Sequence, residues 1–186
     1  MLALLLAVVL AVSPSAAEDK ARKRVSPWET SRFVGRPEPP LPYRAEVAFP
    51  NLKLDAPVTL TNAPRTSRLF AVETRKGIVS FPDDTEVDST DLMLDLKSMH
   101  ADITNIYGLA FHPEYPAKPF IYVVYVLKHK DPTGTVLSRF TVTAFDPPVA
   151  DPDSEVVLLR WLAGGHNGNC LKFGPDGYLY LSLIHI

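Results

Sequence analysis

Leu60-Thr-Asn-Ala-Pro64, Leu109-Ala-Phe-His-Pro113 and Leu171-Lys-Phe-Gly-Pro175 decide the fold. Each sets a leucine four positions before a proline, and the last two add a phenylalanine two before it. Proline fixes φ and opens turns. A strand is read after each one: Leu69-Phe70-Ala71-Val72, Ile121-Tyr122-Val123 and Leu179-Tyr180. Pro64 and Pro113 are 49 positions apart, and Pro113 and Pro175 are 62 apart. A strand, a tight turn and a strand returning at about 50 residues is the pattern of a propeller blade, usually of four strands. A sandwich turns about every 8–12 residues, so this spacing is too long for one.

The sequence around these phrases agrees. Arg68–Val72, Gly77–Phe81, Phe120–Val126 and Ser138–Thr143 are rich in β-branched and aromatic residues, with Pro, Gly, Asp or Asn at their flanks. Helical periodicity is nearly absent. Asp88–Met99 is ambiguous, and a strand is read at Leu92–Leu96. Of 186 residues 18 are proline, about twice the usual share, which speaks against an all-α chain. The fold class is therefore read as all-β.

Charge and composition narrow the function classes. Nineteen Lys+Arg stand against 21 Asp+Glu, a net charge of -2. A nucleic-acid binder needs uncancelled cations to neutralise phosphates, so that class is set aside. The single cysteine, Cys170, can build neither an intrachain disulfide nor a cysteine-based metal site.

Both ends are read as something other than domain. Leu2–Val12 is apolar without a break, but a membrane span needs about 20 residues. Ser13-Pro14-Ser15-Ala16-Ala17 follows, small residues suited to signal peptidase, so residues 1–17 are read as a signal peptide. The expected location is secreted or periplasmic, with no membrane span. Residues 18–48 form a basic and proline-rich leader, and the β domain is expected over 49–180. Leu181–Ile186 looks like a translated sequencing adaptor and is read as a scar.

The histidines differ in setting. His112 lies between Phe111 and Pro113 in a repeat turn, where a ring nitrogen bonding the turn backbone is expected. His100 and His129 fall in polar connections and are expected to be solvated. His166 sits in Gly164-Gly165-His166-Asn167-Gly168-Asn169-Cys170, just before a strand expected from Cys170. Glycines on both sides let a backbone approach a ligand closely. An imidazole with a pKa near ~6.5 suits a general base for a hydroxyl proton. His166 therefore reads equally as that base or as an anchor of its loop. Asp83-Asp84 after Pro82 reads as a turn, since one loop offers few oxygens for calcium. No phosphate loop, Gly-x-Ser-x-Gly elbow or zinc spacing is present.

Taken in order, Tyr107-Gly-Leu-Ala-Phe-His-Pro113, Ile121-Tyr-Val-Val-Tyr125, Ser138-Arg-Phe140, His166-Asn-Gly168 and Phe173-Gly-Pro-Asp-Gly-Tyr-Leu-Tyr180 resemble the glucose/sorbosone dehydrogenase family. The resemblance runs from about Phe49 to Tyr180 and is greatest to secreted planctomycete-type members. It implies a six-bladed β-propeller, of which about the first two blades would be present, a piece expected to be inactive alone. It implies pyrroloquinoline quinone and calcium as cofactors, a sugar substrate and an external electron acceptor, with a cytochrome c among the candidates. It implies that His166 takes the proton of a sugar hydroxyl while hydride passes to the quinone. Two positions depart from the family: Gly165 stands where an acidic residue often precedes the histidine, and Ile103 where a glutamine helps bind the cofactor. The alternatives are a non-catalytic extracellular binding propeller and a lactonase-type propeller hydrolase.

Overall fold

A computed structural model describes residues 43–128, 130–164, 167 and 170–183. His129 and His166 lie outside the described residues, as do the proposed signal peptide, residues 18–42 of the leader and 184–186 of the proposed scar. Residues 46–186 form one compact unit, and the fold below is that of its described part.

Ten strands and one helical turn build it. Strands β1 (Pro57–Asn62), β2 (Arg68–Glu73), β3 (Gly77–Pro82) and β4 (Asp91–Asp95) form an antiparallel meander in that order. A four-residue helix, α1 (Leu96–Met99), leads out of it. Strands β5 (Asn105–Phe111), β6 (Phe120–Val126), β7 (Thr135–Phe145) and β8 (Pro148–Trp161) repeat the meander. Strands β9 (Leu171–Phe173) and β10 (Leu179–Leu181) pair as the opening of a third sheet. These are propeller blades in sequence order, and the all-β expectation holds.

The three leucine-to-proline phrases occupy matching places. Each closes the first strand of a blade and turns into its antiparallel partner, at β1–β2, β5–β6 and β9–β10. The leucines are not equivalent in packing: Leu109 and Leu171 are 4% and 5% exposed, whereas Leu60 is 57% exposed. Leu109 and Leu171 each bury against the sheet of the preceding blade, whereas Leu60, paired with Ala71, lies on the face of the first blade that no sheet covers among the described residues.

Alternation explains the layers. Phe70 and Val72 point to one face of β2, and Leu69 and Ala71 to the other. The first pair joins Ile78, Leu94, Ile121, Val123 and Phe140 in a core shared by the two blades. Burying such faces is the main favourable term for the fold. The far face of the first blade, with Val79 and Phe81, is covered by Phe49, Leu52 and Leu54. The Phe49 and Phe81 rings meet edge to face at 5.3 Å. The far face of the second blade, with Val124 and Leu137, packs on Leu171, Phe173 and Leu179.

Two glycines are required where they stand. A Cβ on Gly77 would lie 1.9 Å from the carbonyl oxygen of Leu94, so β4 passes too close for a side chain. Gly177 holds φ at +81° in the Pro175–Asp176–Gly177 turn, the left-handed region that glycine favours.

Leu92–Asp95 is strand as expected, but Leu96 begins α1 instead. The Asp95 side chain accepts the N–H of Ser98 at 3.1 Å and caps that turn. The third sheet starts at Leu171 and not at Cys170.

Candidate functional site

The first strands of the three blades lie side by side and run the same way. At one end, the N–H of Ile106 bonds the carbonyl of Thr74 at 2.8 Å, and Asn105 Nδ2 bonds Thr74 Oγ1 at 3.2 Å. Thr74 follows β2, whose last residue, Glu73, pairs with Pro57, so β1 and β5 start together. At the other end, the Phe173 ring lies 5.7 Å from that of His112 and 5.2 Å from that of Tyr122, so β5 and β9 finish together. The chain thus enters each of these strands from one end of the molecule and leaves at the proline turns.

Between the strands lies a cleft of about 680 Å³, lined by β1, β5 and the Cys170–Phe173 segment. Thr59, Asn62, Tyr107, Cys170 and Lys172 supply polar side chains around Leu109, Phe111 and Phe173. Lys172 is the single charged residue among the described lining, and no carboxylate joins it. Such a cleft favours an uncharged or anionic ligand with one flat or apolar face.

Cys170 leads directly into β9. Gly164 donates its N–H to Asn167 Oδ1 at 2.9 Å. His166 lies outside the described residues. His112 follows the last residue of β5, at the proline-turn end of the strand.

His112 has the structural role expected of it. Its Nδ1 accepts the N–H of Glu114 at 3.1 Å, and its ring packs on Phe120 and Phe173. Asp83-Asp84 is a turn, with Asp84 Oδ1 accepting the N–H of Glu86 at 3.0 Å. Ile103 is 6% exposed, inside the core shared by the blades. It offers the cleft nothing.

His100 corrects the sequence reading. It is not solvated: it stacks on Tyr125 at 5.1 Å, with the planes 22° apart. Its Nε2 lies 3.2 Å from the Tyr125 hydroxyl and 3.3 Å from Glu155 Oε2. The Tyr125 hydroxyl donates to Glu155 Oε1, and the Ser138 hydroxyl donates to the same oxygen at 2.6 Å. Burial, joined by the Glu155 carboxylate, pushes the Tyr125 phenol far above its ordinary range. The cause of this cluster is the irregular course of β8. Thr141 pairs with Asp151 but Arg139 with Val156, so β8 carries extra residues that turn Glu155 inward. The cluster binds the connection between the blades to the second blade and lies outside the cleft lining.

The family model described as Glucose / Sorbosone dehydrogenase matches residues 54–184. Among solved structures, the PQQ-bound aldose sugar dehydrogenase of Streptomyces coelicolor superposes with a TM-score of 0.55 at 18% identity. It is matched over 70% of this chain and 38% of its own. A putative oxidoreductase (glucose dehydrogenase) of Thermus thermophilus gives 0.55 at 23% identity, over 75% of this chain and 40% of its own. The chain therefore spans about two fifths of the length of these structures.

Proposed function

The chain belongs to the glucose/sorbosone dehydrogenase family, and from that premise we propose that it contributes the substrate-side cleft of a quinone-dependent sugar dehydrogenase. The observation that carries the reading is the convergence of β1, β5 and the Cys170–Phe173 segment on one cleft. Pyrroloquinoline quinone is a planar anion. The described lining fits it in charge and size, since Lys172 is its one charged group and about 680 Å³ is available. Lys172 and the N–H groups of the cleft strands would hold it. When bound, the quinone supplies a two-electron acceptor.

The chain's own residues do the rest. Phe173 and the edges of Leu109 and Phe111, whose side chains are otherwise held in the interblade core, give the cleft apolar surface. His166 accepts the proton of the sugar hydroxyl as its carbon is oxidised. Six blades, an external acceptor such as a cytochrome c, and export directed by residues 1–17 complete the proposal.

The described residues do not fit calcium. No three His, Cys, Asp or Glu side chains gather among them, and the cleft lining holds no carboxylate. No step is assigned to that ion.

A second reading is favoured by Ile103, which is committed to the core where the family resemblance places a cofactor-binding glutamine. It is a non-catalytic extracellular propeller that binds a carbohydrate in the same cleft. Titration of the full-length gene product with pyrroloquinoline quinone, followed by dye reduction with a panel of aldoses, separates the two. The dehydrogenase reading expects quinone binding and aldose-dependent reduction, with a loss of about 10²–10⁴-fold in His166→Ala. Aldose binding without quinone binding overturns it in favour of the second reading.

A further inference from the structure

We propose that Tyr107 is a specificity-determining residue of this cleft, offering its ring as a stacking platform for the apolar face of a pyranose. The inference rests on the sugar-dehydrogenase reading above and concerns a residue to which that reading gave no role.

It starts from a defect shared by two blades. In β1, Pro57 pairs with Glu73 and Thr59 with Val72, which leaves Val58 as an extra residue. In β5, Ile106 pairs with Tyr125 and Gly108 with Val124, which leaves Tyr107 extra. Each bulge falls two positions before the leucine of the repeated phrase, Leu60 or Leu109. A bulge releases one residue from the ladder and re-aims its side chain, a device common beside binding sites.

The second bulge is pinned from the neighbouring blade. Thr59 donates its hydroxyl to the Tyr107 carbonyl at 2.7 Å, satisfying the oxygen that the ladder gave up. Two adjacent bulges are thus tied to each other. Both Val58 and Tyr107 line the cleft. The first bulge presents an aliphatic side chain and the second a half-buried phenol.

A phenol has a broad apolar face and a polar tip. A pyranose has the complementary form, with C–H bonds on its faces and hydroxyls around its rim. A neutral polyol also needs no ion pair, consistent with a described lining whose single charge is Lys172. A planar quinone would stack on a ring as well, so the test keeps the two ligands apart.

Affinity for a methyl glucoside is measured by calorimetry, and affinity for pyrroloquinoline quinone by fluorescence quenching, in the native chain and in Tyr107→Ala, Tyr107→Leu and Tyr107→Phe. The ring contributes about tenfold in glucoside affinity. That loss is expected in both Ala and Leu, with Phe close to native and quinone affinity unchanged in all three. Leu keeps the bulk, so it carries the result if Ala does not fold. Native glucoside affinity in Leu overturns the proposal and leaves the family reading standing. Parallel loss of quinone and glucoside binding overturns it too, because the ring would then serve the cofactor. A native chain that binds quinone but no glucoside overturns this proposal alone, and one that binds neither overturns the dehydrogenase reading with it.

Discussion

Removing one oxygen from Tyr125 tests the buried cluster most directly. In Tyr125→Phe the ring keeps its stack on His100 and its place in the core, so no cavity opens. What is lost is a hydroxyl that donates to Glu155 Oε1. A hydrogen bond to a charged group contributes about 1.5–3 kcal/mol. Glu155 is not orphaned, since Ser138 remains on it at 2.6 Å and His100 at 3.3 Å. No separate penalty for a stranded charge is therefore added, and the expected loss is about 2 kcal/mol, roughly thirtyfold in the unfolding equilibrium. Urea unfolding followed by tryptophan fluorescence reads it. Because Tyr125 and Glu155 touch, Glu155→Gln and the double variant should fall short of additivity by about 1 kcal/mol. A loss below about 0.5 kcal/mol, or strict additivity, refutes the reasoning that this hydroxyl and carboxylate are bonded in solution.

Other outcomes follow from the same structure. The Tyr125 phenol is raised far above its ordinary pKa of about 10 by burial and by Glu155, so the folded chain holds its proton more tightly than the unfolded one. That contribution is complete below about pH 10 and is lost as pH climbs toward the folded value; urea midpoints across this range should fall more steeply in the native chain than in Tyr125→Phe. Gly77→Ala puts a methyl against the Leu94 carbonyl at 1.9 Å and should cost about 3 kcal/mol by urea unfolding. Ile103→Gln places an amide in the interblade core and should destabilise by about 2–3 kcal/mol without raising quinone affinity. A stable Ile103→Gln variant that binds quinone more tightly would show that this side chain faces the cofactor after all.

What could be read from the sequence was what is decided locally. A proline four residues after a leucine fixes a turn wherever the chain goes, so the three blade corners could be located without coordinates. Ring nitrogen and backbone in the His112 turn are two residues apart, and that bond too was foreseeable. Strand β8 was not: Pro148, Asp151, Pro152 and Asp153 read as loop residues, and only pairing with the eleven-residue β7 holds them in a strand. His100 and Glu155 are 55 positions apart, and nothing near either residue announces the other. Their meeting depends on how one blade's exit packs on the next blade's outer strand, which is a property of the assembled sheets. The bulges stand between these cases. Aligning the repeats on Leu60 and Leu109 puts Val58 opposite Tyr107, and Thr59 opposite Gly108. The alignment alone gives no reason for either pair, but the hydroxyl of Thr59 on the carbonyl of Tyr107 supplies one. The residue that fixes the platform thus lies in one repeat and the platform in the next, so the cleft acquires its shape only when neighbouring blades are docked.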